Sequence, residues 1–265
     1  MPNPSEGYPL AAAISPRVQL VDTTDSTNAD VIRHVTETPA EWPHLSLLLT
    51  TDQRAGRGRL DRTWVAPPGT ALAVSVLVRV PGIPAEARGW IPLAAGAAMT
   101  RAVREQIRGT GHNVGLKWPN DVLLDGGKLC GILSEVVPGD PDAIVIGVGV
   151  NTRMPRTDFP VDTAASFEAS GLEADEDRLL ADFLTDLDEQ LTALAAAGGD
   201  ALPAGVFAGV TTLCTTIGSD VSVSLPGGEV LLGRALRIDR EGRLVVEQEG
   251  EFESTVSAGD VVHVR

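Results

Sequence analysis

Residues 114–151, VGLKWPNDVLLDGGKLCGILSEVVPGDPDAIVIGVGVN, decide the fold of this chain. Its apolar segments, 114–118, 122–136 and 143–151, are bounded by turn-forming residues, as strands are. The middle segment is interrupted by Asp125-Gly126-Gly127, which suits a hairpin turn. This stretch therefore predicts neighbouring strands of one sheet.

Strands and helices alternate in the residues before and after this stretch. Further strands are predicted at 18–22, 46–51 and 71–80 from their apolar density. Asp25 or Ser26 is suited to cap a helix that follows. Two more helices are predicted, at 90–108 and 176–194.

The chain is predicted to have α+β architecture with three regions. The first 16 residues are proline-rich and lack periodicity, which indicates a disordered tail. Residues 17–215 are predicted to form a mixed sheet flanked by helices. From 216 to 265 short strands alternate with glycine-containing turns, which is typical of a small β-barrel.

The composition excludes several classes of protein. The formal net charge of −15 disfavours nucleic acid as a partner, because phosphate contacts need an excess of basic residues. No apolar run is long enough to span a membrane, and the start lacks the pattern of a signal peptide. Cys130 and Cys214 form no disulfide or metal pattern, and the histidines lack zinc-ligand spacing. We therefore expect a cytoplasmic protein.

A basic glycine-rich loop, TTDQRAGRGRLDRTW at 50–64, follows a predicted strand. Glycine lets backbone N–H groups approach an anion, and arginine offers a forked donor to phosphate or carboxylate oxygens. The loop matches neither a Walker A sequence nor a dinucleotide-binding fingerprint. It indicates an anion site, with a solvated surface loop as the alternative. The arginines concerned are Arg54, Arg57, Arg59 and Arg62.

Five short motifs occur in an order that resembles biotin protein ligases. They are STN (26–28), AGRGR-x-x-x-x-W (55–64), KWPND (117–121), GKL-x-GIL-x-E (127–135) and IGVGVN (146–151). The resemblance covers residues 18 to 265. It implies a mixed sheet flanked by helices, as in class II synthetase-like biotin/lipoate ligase domains, and then a small SH3-like barrel.

The resemblance also implies a two-step reaction with ATP and biotin as substrates and Mg²⁺ as the metal. Biotin is first activated to biotinyl-5′-AMP, and the biotinyl group then passes to a lysine of a biotin carboxyl carrier protein domain. Fixed cations suit this chemistry because a carboxylate and a triphosphate repel each other. A closing loop would protect the reactive anhydride from water.

The resemblance assigns roles to named residues. Those implied to contact biotin are Ser26, Thr27, Asn28, Gln53, Gly56, Arg57, Gly58, Arg59, Lys128 and Gly131. Those implied to contact ATP or adenylate are Arg59, Arg62, Trp64, Lys117, Asn120 and Asn151. The catalytic residues are expected to be Arg59 at the phosphates, Lys128 at the carboxyl and phosphate oxygens, and Asp121, which would orient the incoming lysine. The metal ligands are not identified.

Some of these residues also have a purely structural interpretation. Residues 26–28 could serve only as a helix cap, Asn151 could simply end a strand, and Lys117 could be a solvated strand residue. Cys130 is expected to be a small buried hydrophobic residue and not a nucleophile.

The sequence departs from the family pattern at several points. About 17 residues precede the first predicted strand, too few for the DNA-binding module of family members that repress transcription. Asp61 replaces a frequent glycine, which adds an acid to the arginine loop. Cys130 replaces a frequent alanine, and Ala165-Ser166-Phe167 replaces a Thr-Ser-Leu run. The cations that the chemistry needs are all retained.

Three alternative functions remain open at this point. The first is a lipoate-protein ligase, which shares the fold and the acyl-adenylate logic. The second is a non-catalytic protein that binds biotin or a nucleotide, and the third is a nucleic-acid-binding regulator. The GRGR and KWPND motifs favour biotin ligation. The sequence leaves open whether the protein is a monomer or a dimer.

Overall fold

The computed structural model describes residues 7–60, 62–226, 228–250 and 252–264. No helix in these ranges has the length and apolar character to cross a membrane. The helices are α1 (Pro9–Ile14), α2 (Thr27–Glu37), α3 (Trp90–Gln106), α4 (Glu176–Ala196) and α5 (Val206–Leu213). The strands of the first domain are β1 (Val18–Leu20), β2 (Leu47–Thr50), β3 (Gly56–Arg57), β4 (Thr63–Trp64), β5 (Leu72–Arg79), β6 (Val114–Lys117), β7 (Asp121–Leu124), β8 (Gly127–Val137) and β9 (Asp140–Val150). Those that follow are β10 (Asp220–Ser224), β11 (Val230–Ile238), β12 (Leu244–Gln248), β13 (Phe252–Val256) and β14 (Asp260–His263).

Seven strands form a mixed sheet in the order β1-β2-β5-β9-β8-β7-β6. β1 and β2 are parallel, whereas the other neighbours are antiparallel. β7 and β8 are joined by the predicted hairpin turn, in which Asp125 and Gly126 have φ values of 49° and 84°. Two consecutive positive φ values match the twist of the flanking strands. The predicted sheet and its hairpin are therefore confirmed.

Helices cover both faces of this sheet. α3 packs against β6, β7 and β8, and α4 packs on α3. The close approach of α3 requires small residues: a side chain at Gly96 would begin 2.5 Å from Leu116 Cδ1. On the opposite face, α2 buries Val31 and Val35 together with Trp42 in a second apolar cluster. Alternate residues of β2, β5 and β9 point into the two clusters, as the period of a strand requires.

The expected disordered tail at 1–16 is corrected in part by the structure. Residues Pro9–Ile14 form α1, with Ala11 buried against α4. The backbone N–H groups of Leu10 and Ala11 each donate to the Asp177 carboxylate at 2.9 Å. This carboxylate satisfies the unpaired N–H groups at the helix start, and it comes from a residue far along the chain. Residues 1–6 lie outside the described ranges.

The C-terminal strands form a separate antiparallel sheet in the order β13-β12-β11-β10-β14. Its β11–β12 turn is held against the first domain by two buried indoles. Trp90 Nε1 donates to the carbonyl of Arg240 at 2.8 Å, and Trp118 Nε1 donates to the carbonyl of Gly242 at 3.0 Å. Because both tryptophans belong to the main core, these two hydrogen bonds fix the small sheet against the first domain. The predicted all-β C-terminal region is therefore confirmed.

Candidate functional site

The floor of a pocket on the main sheet is made of glycine. Gly131 and Gly149 are cross-strand partners in β8 and β9, and Gly147 pairs with Leu133 one step further along. Added Cβ atoms at Gly147 and Gly149 would lie 2.3 Å from Asn28 Oδ1 and 2.4 Å from Trp64 Cζ2. The glycines therefore let these two side chains rest directly on the sheet.

One wall of the pocket is a hydrogen-bonded set of polar side chains at the start of α2. The Ser26 Oγ caps the helix by accepting from the N–H of Ala29. Thr27 donates to Gln53 Oε1 through its backbone N–H at 2.8 Å and through its hydroxyl at 3.1 Å. The cap and the pocket wall are thus the same residues, so the structural and functional interpretations of 26–28 do not compete.

Ser75 completes this wall from the strand below. It is buried in β5, and its Oγ lies 2.7 Å from Thr27 Oγ1 and 2.5 Å from Asn28 Oδ1. The amide of Asn28 in turn donates to the Glu135 carboxylate at 2.8 Å. Sequence reasoning assigned no role to Ser75, although a serine inside the apolar segment 71–78 is a signal that could have found it.

The arginine loop reaches over the pocket as the short hairpin β3–β4. Gly56 pairs with Trp64, and the N–H of Gly58 donates to the carbonyl of Arg62 at 2.6 Å. This pairing turns the Trp64 indole onto the pocket floor at Gly149. Asp61, the departure from the family pattern, lies outside the described residues.

The loop arginines differ in their partners. Arg54, Arg57 and Arg62 each pair with a carboxylate, from Asp52, Glu135 and Asp260 respectively, at 3.2, 3.0 and 2.7 Å. In the described residues, Arg59 has no carboxylate within ion-pair distance; it donates to the Asn120 side-chain oxygen at 3.1 Å and the Gly259 carbonyl at 3.3 Å. Carboxylates of the protein therefore offset the charge of three of the four loop arginines.

Arg59 is the cation best placed to receive an anion. Burial lowers the pKa of its guanidinium, while the nearby charges of Asp121 and Asp260 oppose that shift. A guanidinium stays charged even when its pKa is lowered. A partly buried charge whose hydrogen-bond acceptors are neutral gains from an anionic ligand, because the ligand offsets the cost of desolvation.

A second cationic group lies at the other side of the floor. Lys128 Nζ is 2.6 Å from Asp121 Oδ1, and Lys117 Nζ is 3.9 Å from Asp121 Oδ2. An added Cβ at Gly131 would lie 3.2 Å from Lys128 Nζ, so the ammonium rests on the glycine floor. The Lys128 side chain remains 43% exposed, so the ammonium is accessible from the pocket.

The pocket brings together most of the residues predicted from sequence. Those that line it are Ser26, Thr27, Asn28, Gln53, Arg57, Gly58, Arg59, Arg62, Trp64, Asn120, Asp121, Lys128 and Gly131. Three predicted residues lie behind the lining. Gly56 has no room for a Cβ beneath the Trp64 carbonyl, Lys117 stands behind Asp121, and the Asn151 amide donates to the Ala165 carbonyl at 2.9 Å.

Sequence reasoning missed the contributions of distant segments. Gly259 and Asp260, at the start of β14, line the pocket and contact the arginine loop. Sequence reasoning also gave no role to Glu135, the last residue of the GKL-x-GIL-x-E motif, although its carboxylate contacts Asn28 and Arg57. Burial raises the pKa of the Cys130 thiol well above its usual range, which opposes formation of a nucleophilic thiolate.

Two family models match the chain in separate segments. The Biotin/lipoate A/B protein ligase family matches residues 20–151, and the Biotin protein ligase C terminal domain matches residues 216–264. The first segment contains the polar wall, the arginine loop, and Lys128. The second contains the small sheet with Gly259 and Asp260.

Curated proteins and solved structures with similar chains carry related names. A biotin--[acetyl-CoA-carboxylase] ligase of Mycobacterium tuberculosis is 36% identical over 249 residues, which cover 94% of this chain and 90% of that protein. A bifunctional ligase/repressor BirA of Escherichia coli is 30% identical over 237 residues, covering 88% of this chain and 70% of that protein.

The fold has counterparts among solved structures. The biotin protein ligase from Aquifex aeolicus in complex with biotin and ATP superposes with a TM-score of 0.74 at 22% identity, covering 94% of this chain and 99% of that one. At this identity the likeness concerns the fold, and it confirms the predicted architecture. The relative at 36% identity carries the assignment further: the chain belongs to the biotin protein ligase family.

Proposed function

We propose that this protein activates biotin with ATP to biotinyl-5′-AMP and transfers the biotinyl group to a lysine of a biotin carboxyl carrier protein domain. The observation that carries this proposal is one pocket that joins an uncharged polar wall to two cations, Arg59 and Lys128. The wall suits a neutral ring with hydrogen-bonding groups, and the cations suit a carboxylate and a phosphate that must meet.

In the first step a biotin carboxylate oxygen attacks the α-phosphorus of ATP, and pyrophosphate leaves. Both reactants are anions, so their approach requires fixed positive charge. Arg59, whose hydrogen-bond acceptors are neutral, would bind the phosphates. Lys128, which rests on the pocket floor, would donate hydrogen bonds to the carboxylate and to an α-phosphate oxygen.

In the second step the amine of the carrier lysine attacks the biotinyl carbonyl, and the bond to AMP breaks. Lys128 would stabilise the negative charge that develops on the carbonyl oxygen. Asp121, which contacts Lys128 at 2.6 Å, would orient the incoming amine. Trp64 and the loop would cover the anhydride and exclude water.

Magnesium enters this proposal with the nucleotide. In the described residues no group of three or more metal-ligating side chains clusters, so those residues offer no protein cage. Mg²⁺ commonly binds through substrate phosphates and one or two carboxylates. Asp121 and Asp260, the carboxylates that line the pocket, are the residues that could share it. The ion would reduce the negative charge on the phosphates.

The acceptor and the cell compartment also belong to the proposal. The carrier is expected to be the biotin carboxyl carrier domain of an acyl-CoA carboxylase, and the protein is expected to act in the cytoplasm without binding nucleic acid or membrane. The M. tuberculosis relative, named as a biotin--[acetyl-CoA-carboxylase] ligase, supports the choice of carrier.

Mass spectrometry of a carrier domain tests this function. Incubation with biotin, ATP and Mg²⁺ should add one biotinyl group at one lysine, and Lys→Arg at that position should abolish the product. Addition of lipoate in place of biotin would favour a lipoate-protein ligase. Biotin bound without any carrier product or pyrophosphate would favour a non-catalytic binding protein.

A further inference from the structure

Glu135 lies on β8 two residues beyond Leu133 and four beyond Gly131, so its side chain projects from the pocket face of the sheet. It is absent from the pocket lining, yet its carboxylate contacts two residues that line the pocket. One carboxylate oxygen accepts from Asn28 Nδ2 at 2.8 Å, and Arg57 donates to the same group at 3.0 Å.

The first contact sets the orientation of the Asn28 amide. A carboxylate only accepts hydrogen bonds, so Glu135 must face the NH₂ group of Asn28 and not its carbonyl oxygen. The same NH₂ group also donates to the Leu133 carbonyl at 3.3 Å. The Asn28 oxygen therefore lies over the floor at Gly147; it accepts from Ser75 Oγ at 2.5 Å, and its second lone pair remains for a ligand.

The second contact sets the position of the loop. Arg57 belongs to β3 of the arginine loop, whereas Glu135 belongs to the main sheet. Their ion pair joins the two elements next to the polar wall. The Glu135 side chain is 24% exposed, so the pair is partly shielded from solvent.

We propose that Glu135 is a positioning residue that fixes the amide of Asn28 as a hydrogen-bond acceptor for ligand N–H groups and holds the arginine loop through Arg57. The inference rests on the proposed function, because biotin is the ligand whose cyclic urea would present those N–H groups. Glu135 lies behind the polar wall and does not contact the ligand. The preference of the wall for an N–H donor nevertheless depends on its carboxylate, which orients the Asn28 amide.

Calorimetric titration of biotin onto the intact protein tests this role, in parallel with pyrophosphate exchange. Glu135→Ala removes both contacts, and loss of charge-assisted hydrogen bonds should raise the Kd for biotin by about ten-fold or more. The maximal rate of exchange at saturating biotin should stay within about three-fold, because the reacting atoms meet Lys128 and Arg59 and not Glu135. Glu37→Gln, an exposed charge change on α2, is the matched control and should leave Kd unchanged.

A swap of hydrogen-bonding polarity separates positioning from a merely structural role. Asn28→Asp would place two carboxylates at the 2.8 Å contact and should abolish biotin binding. Adding Glu135→Gln should restore binding in part, because the amide introduced on β8 can donate to the carboxylate introduced on α2, and the acceptor toward the pocket is retained.

The outcomes are distinct from those of the proposed function. Unchanged biotin Kd in folded Glu135→Ala, as judged by circular dichroism, or no recovery in the double variant would overturn the positioning role even if exchange proceeds. Wild-type protein that binds biotin but catalyses no exchange would refute the proposed function and leave the Glu135 measurements interpretable.

Discussion

Lys128 and Asp121 form a 2.6 Å ion pair that rests on Gly131, the cross-strand partner of Asp121. The aspartate is only 14% exposed and also has Lys117 at 3.9 Å on its other oxygen. Such a pair limits the positions that the ammonium can take while leaving it accessible from the pocket. The Lys128 ammonium is thus held by a neighbour from the same sheet.

Lys128→Ala is expected to abolish adenylate formation in a protein that remains folded, because no other ammonium rests on the glycine floor in the part of the chain that the structure describes. Asp121→Asn should keep the first step but slow transfer, since the incoming carrier amine loses the carboxylate that would orient it. Rapid-quench measurement of biotinyl-AMP and of carrier product checks both steps. A normal burst of adenylate in Lys128→Ala would contradict its assigned role.

Arg59→Ala should raise the KM for ATP more than Arg62→Ala does. Arg62 already forms an ion pair with Asp260 at 2.7 Å, whereas the hydrogen-bond acceptors of Arg59 are neutral. A hydrogen bond to a charged group is worth about 1.5–3 kcal/mol, which corresponds to roughly ten-fold or more in KM for Arg59. Pyrophosphate exchange at varied ATP gives both values, and equal effects would argue against the distinction.

Gly149→Ala should weaken biotin binding through Trp64 alone. The added Cβ would lie 2.4 Å from the Trp64 ring, so the indole must leave its place on the floor. Overpacking of this kind costs about 1–3 kcal/mol. Gly7→Ala, where a Cβ meets no atom within 4 Å, is the control. Trp fluorescence and biotin titration report the change; an unaltered titration would show that the indole does not contribute.

The environment of His263 should make the free energy of unfolding depend on pH. Burial, and then the charge of Lys117, lower its pKa in the folded protein below the ordinary 6.5. Thr216 Oγ1 accepts from the N–H of Trp118, and its hydroxyl can donate to His263 Nε2 while that nitrogen is unprotonated. The unfolded chain therefore binds a proton at a higher pH than the folded protein does.

The free energy of unfolding should consequently fall as the pH drops below 6.5, until the lower folded pKa is passed. His263→Gln should flatten this segment of the curve. Urea titrations at a series of pH values measure it. A pH dependence that is identical in the variant would assign the effect to other groups.

The fold was largely predictable because its signals are local. The Asp125-Gly126 turn, the cap at Ser26 and the small residues of α3 all follow from neighbours in sequence. α1 was not predictable, since six residues are too few for a periodic pattern and its capping carboxylate, Asp177, lies in α4.

The site was predictable to the extent that residue types alone reveal chemistry. Arginines and a lysine among glycines indicated an anion pocket, but their partners are distant in sequence. Glu135 forms an ion pair with Arg57, and Asp260 forms one with Arg62. Arg59 has neutral hydrogen-bond acceptors instead. Only the assembled sheet and the docked C-terminal domain show that the acceptors of Arg59 are neutral.

ATP–pyrophosphate exchange with purified protein, Mg²⁺ and either biotin or lipoate tests the central claim most directly. We expect exchange that depends on biotin and is absent with lipoate, because the polar wall would accept hydrogen bonds from ring N–H groups and Arg59 and Lys128 would bind the carboxylate and phosphate. Exchange with lipoate but not with biotin would identify the protein as a lipoate-protein ligase, which shares the fold. No exchange with either acid would contradict adenylate formation in this pocket.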